Sequence, residues 1–126
     1  MDTIAVGIDV SKDRLDVHVR PAGTVLSFGR DSAGIEALIG ELTGVAPWLI
    51  AVEATGGFET VVVASLAAAG LPVVVVNPAQ VRAFAIALGQ RAKTDPIDAQ
   101  VIAHFAEATK RRCGSFPTRP RRLLPI

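Results

Sequence analysis

The sequence predicts an α/β domain built on one mixed sheet, and three observations predict it. Three short β-branched segments open the chain, "TIAVGIDV" (3–10), "RLDVHVR" (14–20) and "TVLSFG" (24–29). Their connections are too short for a crossover helix, so the three strands form an antiparallel meander. Beyond residue 30, strand-like runs alternate with segments of helical periodicity, which makes the later strands parallel through right-handed crossovers. Half of the 126 residues are apolar, enough for one core and about one domain.

The elements follow in order. In 14–20 the alternation is clean: Leu15, Val17 and Val19 are expected inward, and Asp16, His18 and Arg20 outward toward solvent. Pro21-Ala22-Gly23 marks the next turn. Asp31 or Ser32 is suited to cap a helix over about 32–43, whose apolar positions Ile35, Leu38, Ile39 and Leu42 share one face. "WLIAVEAT" (48–55) reads as a fourth strand, and Gly56-Gly57 leads into a helix over about 58–69. "PVVVV" (72–76) is apolar on both faces and is expected to be a buried parallel strand. A helix from Pro78 to about Leu88, a polar loop from Gly89 to Thr94 and a last helix over about 95–109 complete the order β-β-β-α-β-α-β-α plus a final helix. From Lys110 the periodicity fails. The stretch 111–126, with five arginines and three prolines, reads as a basic, disordered tail, so the expected division is a domain at 1–109 and a tail at 110–126.

Composition narrows the function classes. The single Cys113 rules out a disulfide framework within the chain, and no Cys/His zinc spacing exists. His18 and His104 are lone histidines, read as structural. Met1-Asp2-Thr3 is no secretory leader, and the apolar stretch 61–76 is split by Gly70-Leu71-Pro72 into pieces shorter than the ~20 residues of a membrane helix. A cytoplasmic protein without membrane contact is the expectation. The net charge of +1 is uneven: residues 1–106 hold seven basic and eleven acidic residues, whereas 107–126 hold six basic residues and one glutamate. A basic end of this kind either grips phosphate, through Lys110, Arg111 and Arg112, or is simply solvated.

Four acids stand out. Asp9 ends the apolar run of the first strand on the face of the small residues Ala5 and Gly7, where a helix could approach closely. Glu53 ends the fourth strand on the face of Leu49 and Ala51. In "KTDPIDAQVIAHF" (93–105), Asp95 precedes Pro96 and is a natural helix N-cap, with Thr94 an equal candidate. The spacing Asp95, Asp98, Ile102, Phe105 keeps one helical face, so both aspartates continue an apolar stripe. Carboxylates facing a core need compensation, and hard oxygen ligands suit Mg²⁺ or Mn²⁺. Two such ions clamp the attacking and leaving oxygens of a phosphodiester. Ser11 and Lys12, just after Asp9, either meet a phosphate or begin a turn; Lys93 lies beside the second acid pair.

The set "GIDVSKDRLDV", "VEATGGFE", "VNPAQVRAFA" and "KTDPIDAQVIA" resembles the N-terminal domain of the DEDD-type insertion-sequence transposases, the family that includes the Piv-like DNA invertases. The resemblance spans roughly residues 3–109 and implies a ribonuclease-H-like fold similar to that of the Holliday-junction resolvase RuvC. It implies that Asp9, Glu53, Asp95 and Asp98 are the four catalytic, metal-binding acids; Ser11, Lys12, Lys93 and Thr94, which flank them in sequence, are expected to lie toward nucleic acid. It further implies Mg²⁺-dependent DNA cleavage and strand exchange, a structured RNA partner and homo-oligomeric assembly. Family members continue into a domain that supplies a nucleophilic serine. The last sixteen residues here look unlike that continuation, so the expectation is a transposase catalytic domain incomplete on its own. The alternative is a catalytically idle, nucleic-acid-binding remnant. The stretch "AVGIDVSKDRLDV" also looks like the first phosphate loop of sugar kinases and actin-like ATPases, a reading that has no use for the Asp95/Asp98 pair.

Overall fold

The computed structural model describes residues 3–54, 56–89 and 98–113, with side chains through residue 109. The order is β1 (Ala5–Val10), β2 (Arg14–Arg20), β3 (Thr24–Gly29), α1 (Ser32–Val45), β4 (Leu49–Glu53), α2 (Glu59–Ala68), β5 (Val73–Val76), α3 (Pro78–Ala87) and α4 (Ala99–Cys113). One five-stranded sheet runs β3-β2-β1-β4-β5. β1, β2 and β3 pair antiparallel, whereas β4 joins β1, and β5 joins β4, in parallel. The meander and the parallel half therefore meet at β1, and the carboxyl ends of β1, β4 and β5 point the same way.

Local chemistry explains the boundaries. Asp31 caps α1, its Oδ1 accepting from the Gly34 N–H at 2.7 Å. Asn77 caps α3 in the same manner at 2.7 Å from the Ala79 N–H, ahead of a proline at the first helical position. Gly56 and Gly57 turn the chain out of β4 at φ of 75° and 112°, a region closed to most side chains.

Each face of the sheet has its own core. Val6, Ile8, Val10, Leu15, Val17, Val19, Ile50 and Val52 pack against Ile35, Leu38 and Leu42 of α1 and Val62 and Leu66 of α2. On the other face, Ala5, Leu49 and Ala51 pack against Val81 and Ala85 of α3 and Val101, Ile102 and Ala106 of α4.

Three expectations are corrected. β5 is the edge strand and not a buried one: Val74 is 40% and Val75 49% exposed, because the strand has a neighbour on one side only. The polar side of β2 does not face open solvent. α4 crosses it, leaving Asp16, His18 and Arg20 half-buried, and Arg20 Nε bonds Glu107 Oε1 at 2.8 Å. α4 continues four residues past Thr109, through Lys110-Arg111-Arg112 to Cys113. Lysine and arginine are good helix formers and favour the negative end of the helix dipole, so loss of apolar periodicity did not end the helix there.

Candidate active site

Asp9 is the fifth of six residues in β1, and Glu53 is the last of β4. Because these central strands are adjacent and parallel, with Ile8 opposite Val52, both carboxylates stand at the same end of the sheet. They also share its α3/α4 face, by alternation with Ala5, Ala51 and Leu49. Asp9 is half-buried, and Glu53, at 7% exposure, is the only buried charged side chain among the described residues.

Burial and neighbouring charge both act on the two acids. Burial pushes the Asp9 carboxyl above the usual carboxylate range; the charges of Asp16 and Asp98 push it further, and Arg14 opposes them. Burial likewise raises Glu53, Asp9 adds to the rise, and Arg82 of α3 opposes it.

Asp98 reaches this group through a close helix–strand contact. A Cβ placed on Gly7 would lie 2.8 Å from Cα of Ala103 and 2.5 Å from the carbonyl oxygen of Ala99, both backbone atoms of α4. Glycine is thus the residue that lets α4 lie against β1, as the small residues beside Asp9 suggested. Asp98 immediately precedes α4. Its Oδ1 accepts from the Val101 N–H at 3.1 Å and its carbonyl from the Ile102 N–H at 3.1 Å, so it caps the helix, and its charge raises the pKa of Asp9. The expected stripe is present from Ile102, which is fully buried, to Phe105, which packs edge-on against Phe84 with centroids 5.5 Å apart. Asp98 starts that stripe as the cap. Asp95, Lys93 and Thr94, and with them the alternative caps, lie outside the described residues.

The other sequence candidates divide. Ser11 belongs to the β1–β2 turn, where its N–H and Oγ both donate to the Arg14 carbonyl, at 2.9 and 3.1 Å. Lys12 is exposed on that turn. Lys110, Arg111 and Arg112 form the last turn of α4, and their side chains lie outside the described residues.

Sequence reasoning missed Asp16 and Arg14. Asp16 pairs with Asp9 across the β1–β2 ladder, is bridged by Arg14 Nε at 3.1 Å, and accepts from Ser27 Oγ at 3.2 Å. The short turn between β1 and β2 contained the signal, since it sets the register that puts residue 16 opposite residue 9. Arg82 was likewise passed over, because only the packing of α3 brings its charge within range of Glu53.

The donor chemistry fits a hard divalent cation: carboxylate oxygens, partly desolvated and mutually repelling, on rigid elements. Among the described residues no three His, Cys, Asp or Glu side chains stand close enough together to hold a metal.

A mixed sheet in the order 3-2-1-4-5 with acids at the ends of its two central strands has the architecture of the ribonuclease-H-like proteins. Structural comparison agrees. RuvC of T. thermophilus, solved in complex with a Holliday junction substrate, is similar with a TM-score of 0.62 and 18% identity, over 90% of this chain and 98% of that one. Two kinases share the fold more distantly. One is a ROK hexokinase from Thermus thermophilus (TM-score 0.50, 19% identity, 74% of this chain and 40% of that one). The other is an inorganic polyphosphate/ATP-glucomannokinase from Arthrobacter sp. strain KM (TM-score 0.51, 16% identity, 74% and 51%). No curated protein sequence matches. The family of DEDD transposases of the IS110 type, described as "Transposase", matches residues 6–123. The chain belongs to this transposase family. The match runs beyond residue 109, so the basic segment expected to be foreign to the family is largely included in it. No helix among the described residues is long and apolar enough to cross a membrane.

Proposed function

We propose that this domain cleaves DNA phosphodiesters during transposition, with Asp9, Glu53, Asp95 and Asp98 holding Mg²⁺ or Mn²⁺. The observation that carries this reading is the pair Asp9 and Glu53. Two carboxylates stand at the same end of adjacent central strands, both partly desolvated, with the charge of Asp9 acting on Glu53, an arrangement that disfavours their ionised forms and that a bound cation would compensate. Membership of a transposase family and a RuvC-like fold support DNA as the substrate.

Bound divalent cations would supply charge neutralisation and Lewis acidity at the phosphodiester. The protein's own part is positional. Rigid strands fix Asp9 and Glu53, and the cap of α4 fixes Asp98 through its bond to the Val101 N–H. Arg14 engages Asp16, which would otherwise compete with Asp9 for protons or cations. In this reading Lys93, Thr94 and the basic end of α4 hold the DNA backbone, Ser11 serves the turn, and a structured RNA and further copies of the chain are partners of the assembled transposase.

A second reading, nucleic-acid binding without cleavage, draws support from the run Lys110-Arg111-Arg112 at the end of α4. One experiment separates the two. Millimolar Mg²⁺ or Mn²⁺ should raise the melting temperature of the wild-type chain by several degrees, since a ligand bound at ~100 times its Kd stabilises by about 2.7 kcal/mol. Asp9→Asn should remove most of that gain together with nicking of branched DNA. An unmoved melting curve and intact DNA, with binding retained, would establish the second reading.

A further inference from the structure

Arg30 follows β3 at the same end of the sheet as Asp9 and Glu53, and touches both loops that leave those acids. Its Nε donates to the Lys12 carbonyl at 2.6 Å, in the turn three residues after Asp9. Its guanidinium carbon lies 4.7 Å from the ring centroid of Phe58, in the turn five residues after Glu53. Its backbone N–H donates to the Asp13 carbonyl at 3.1 Å. The side chain is half-buried, and Phe58 is 42% exposed.

An arginine has five N–H donors in a rigid plane, and here one is used. Among the described residues, no acceptor is bound to the four N–H groups on its Nη atoms. The group itself is held by the Lys12 carbonyl at Nε and by its position over the Phe58 ring. A guanidinium fixed in this way, with a fork of donors to spare, matches the paired oxygens of a phosphodiester. The need for it is electrostatic. Residues 1–106 carry four more acidic than basic side chains, and the site's carboxylates repel an approaching backbone.

We propose that Arg30 is a phosphate anchor that receives the backbone of a DNA strand at the end of the sheet where Asp9 and Glu53 stand, between the loops that follow β1 and β4. The proposal rests on the DNA-cleaving reading above and adds a specific contact to it. Lys12 and Phe58 act as positioning residues: the Lys12 carbonyl and the Phe58 ring hold the guanidinium in place.

The test is equilibrium binding of a labelled branched DNA by the full chain across a series of salt concentrations, with a structured RNA and inorganic phosphate as separate arms. Losing one charged contact should weaken DNA binding of Arg30→Gln about tenfold. It should also lower the magnitude of the log–log salt slope by about one. Arg30→Lys should keep the slope and recover part of the affinity. Phe58→Leu leaves the charge in place but removes the face that orients it, so it should weaken binding severalfold with an unchanged slope. Thermal melting reports whether each variant folds. If Arg30→Gln does not fold, Phe58→Leu decides alone, and wild-type affinity there overturns the proposal. A folded Arg30→Gln with wild-type affinity and slope overturns it too, and leaves the catalytic reading standing if the chain still nicks DNA. Loss confined to the RNA arm overturns the DNA assignment. Failure of the wild-type chain to bind DNA at all overturns both readings.

Discussion

On the face covered by α1 and α2, β1, β2 and β4 present Val6, Ile8, Val10, Leu15, Val17, Val19, Ile50 and Val52. On the face covered by α3 and α4, β1 and β4 present Ala5, Gly7, Asp9, Leu49, Ala51 and Glu53, and β2 adds Asp16, His18 and Arg20. The first face buries bulk, and dispersion and hydrophobic transfer hold its helices at the distance large side chains dictate. The second has traded bulk for proximity. α4 answers with Ala99, Ala103 and Ala106, and its backbone comes to rest against Gly7. That approach brings the charge of Asp98, one residue ahead of the helix, within range of Asp9. The thick face secures the fold, and the thin face places partly buried carboxylates at one end of the sheet.

Removing bulk and adding bulk should therefore hurt opposite faces. The largest effect is expected on the thick side. Leu38→Ala leaves a cavity among fully buried neighbours and should cost about 3–5 kcal/mol by denaturant unfolding, without touching the metal response of the remaining folded protein. A loss below about 1 kcal/mol would mean that this face is not the one that holds the domain together.

Gly7→Ala should be the next largest. It adds one methyl group on the thin side, where the obstacles are backbone atoms of α4 that cannot rotate away. The expected cost is about 1–3 kcal/mol, and the shift in melting temperature on adding Mg²⁺ should shrink because Asp98 moves with the helix. A variant with wild-type stability would show that α4 is free to lift off β1.

The smallest expected effect has the opposite sign. The folded-state pKa values of Asp9 and Glu53 are raised, so the folded protein binds their protons more tightly than the unfolded chain does. Their contribution favours folding below the ordinary carboxylate pKa near 4, and is lost as pH rises through the raised folded values. Without metal, Asp9→Asn should melt about 2–4 °C above wild type at neutral pH, and the gap should close as pH falls toward about 4. A gap that stays constant over this range would remove the electrostatic cost from the account of the thin face.

His18 shows how the faces mislead a linear reading. Alternation with Val17 and Val19 places it correctly on the polar side of β2. Yet burial lowers its pKa, with Arg20 adding to the fall and Asp98 opposing it, because α4 covers that side. The polar side of an antiparallel strand faces water only when no helix crosses it, and nothing within 14–20 states whether one does.

What the sequence determined by itself was local. Period-two alternation set β2 at 14–20, Asp31 or Ser32 and Pro78 marked the starts of α1 and α3, and Ala5 and Gly7 marked a site of close approach. The acids at the ends of β1 and β4 were legible because an apolar run that ends in a carboxylate stands out in one dimension. Only tertiary structure decided which of these features meet. Strand order made β5 an edge and put β4 beside β1; register put Asp16 opposite Asp9; helix docking covered His18 and brought Arg82 near Glu53. The physical reason is that propensity, capping and alternation act between residues a few positions apart. Sheet order, register across the ladder and the field of a buried charge act between residues that are neighbours only once the chain has folded.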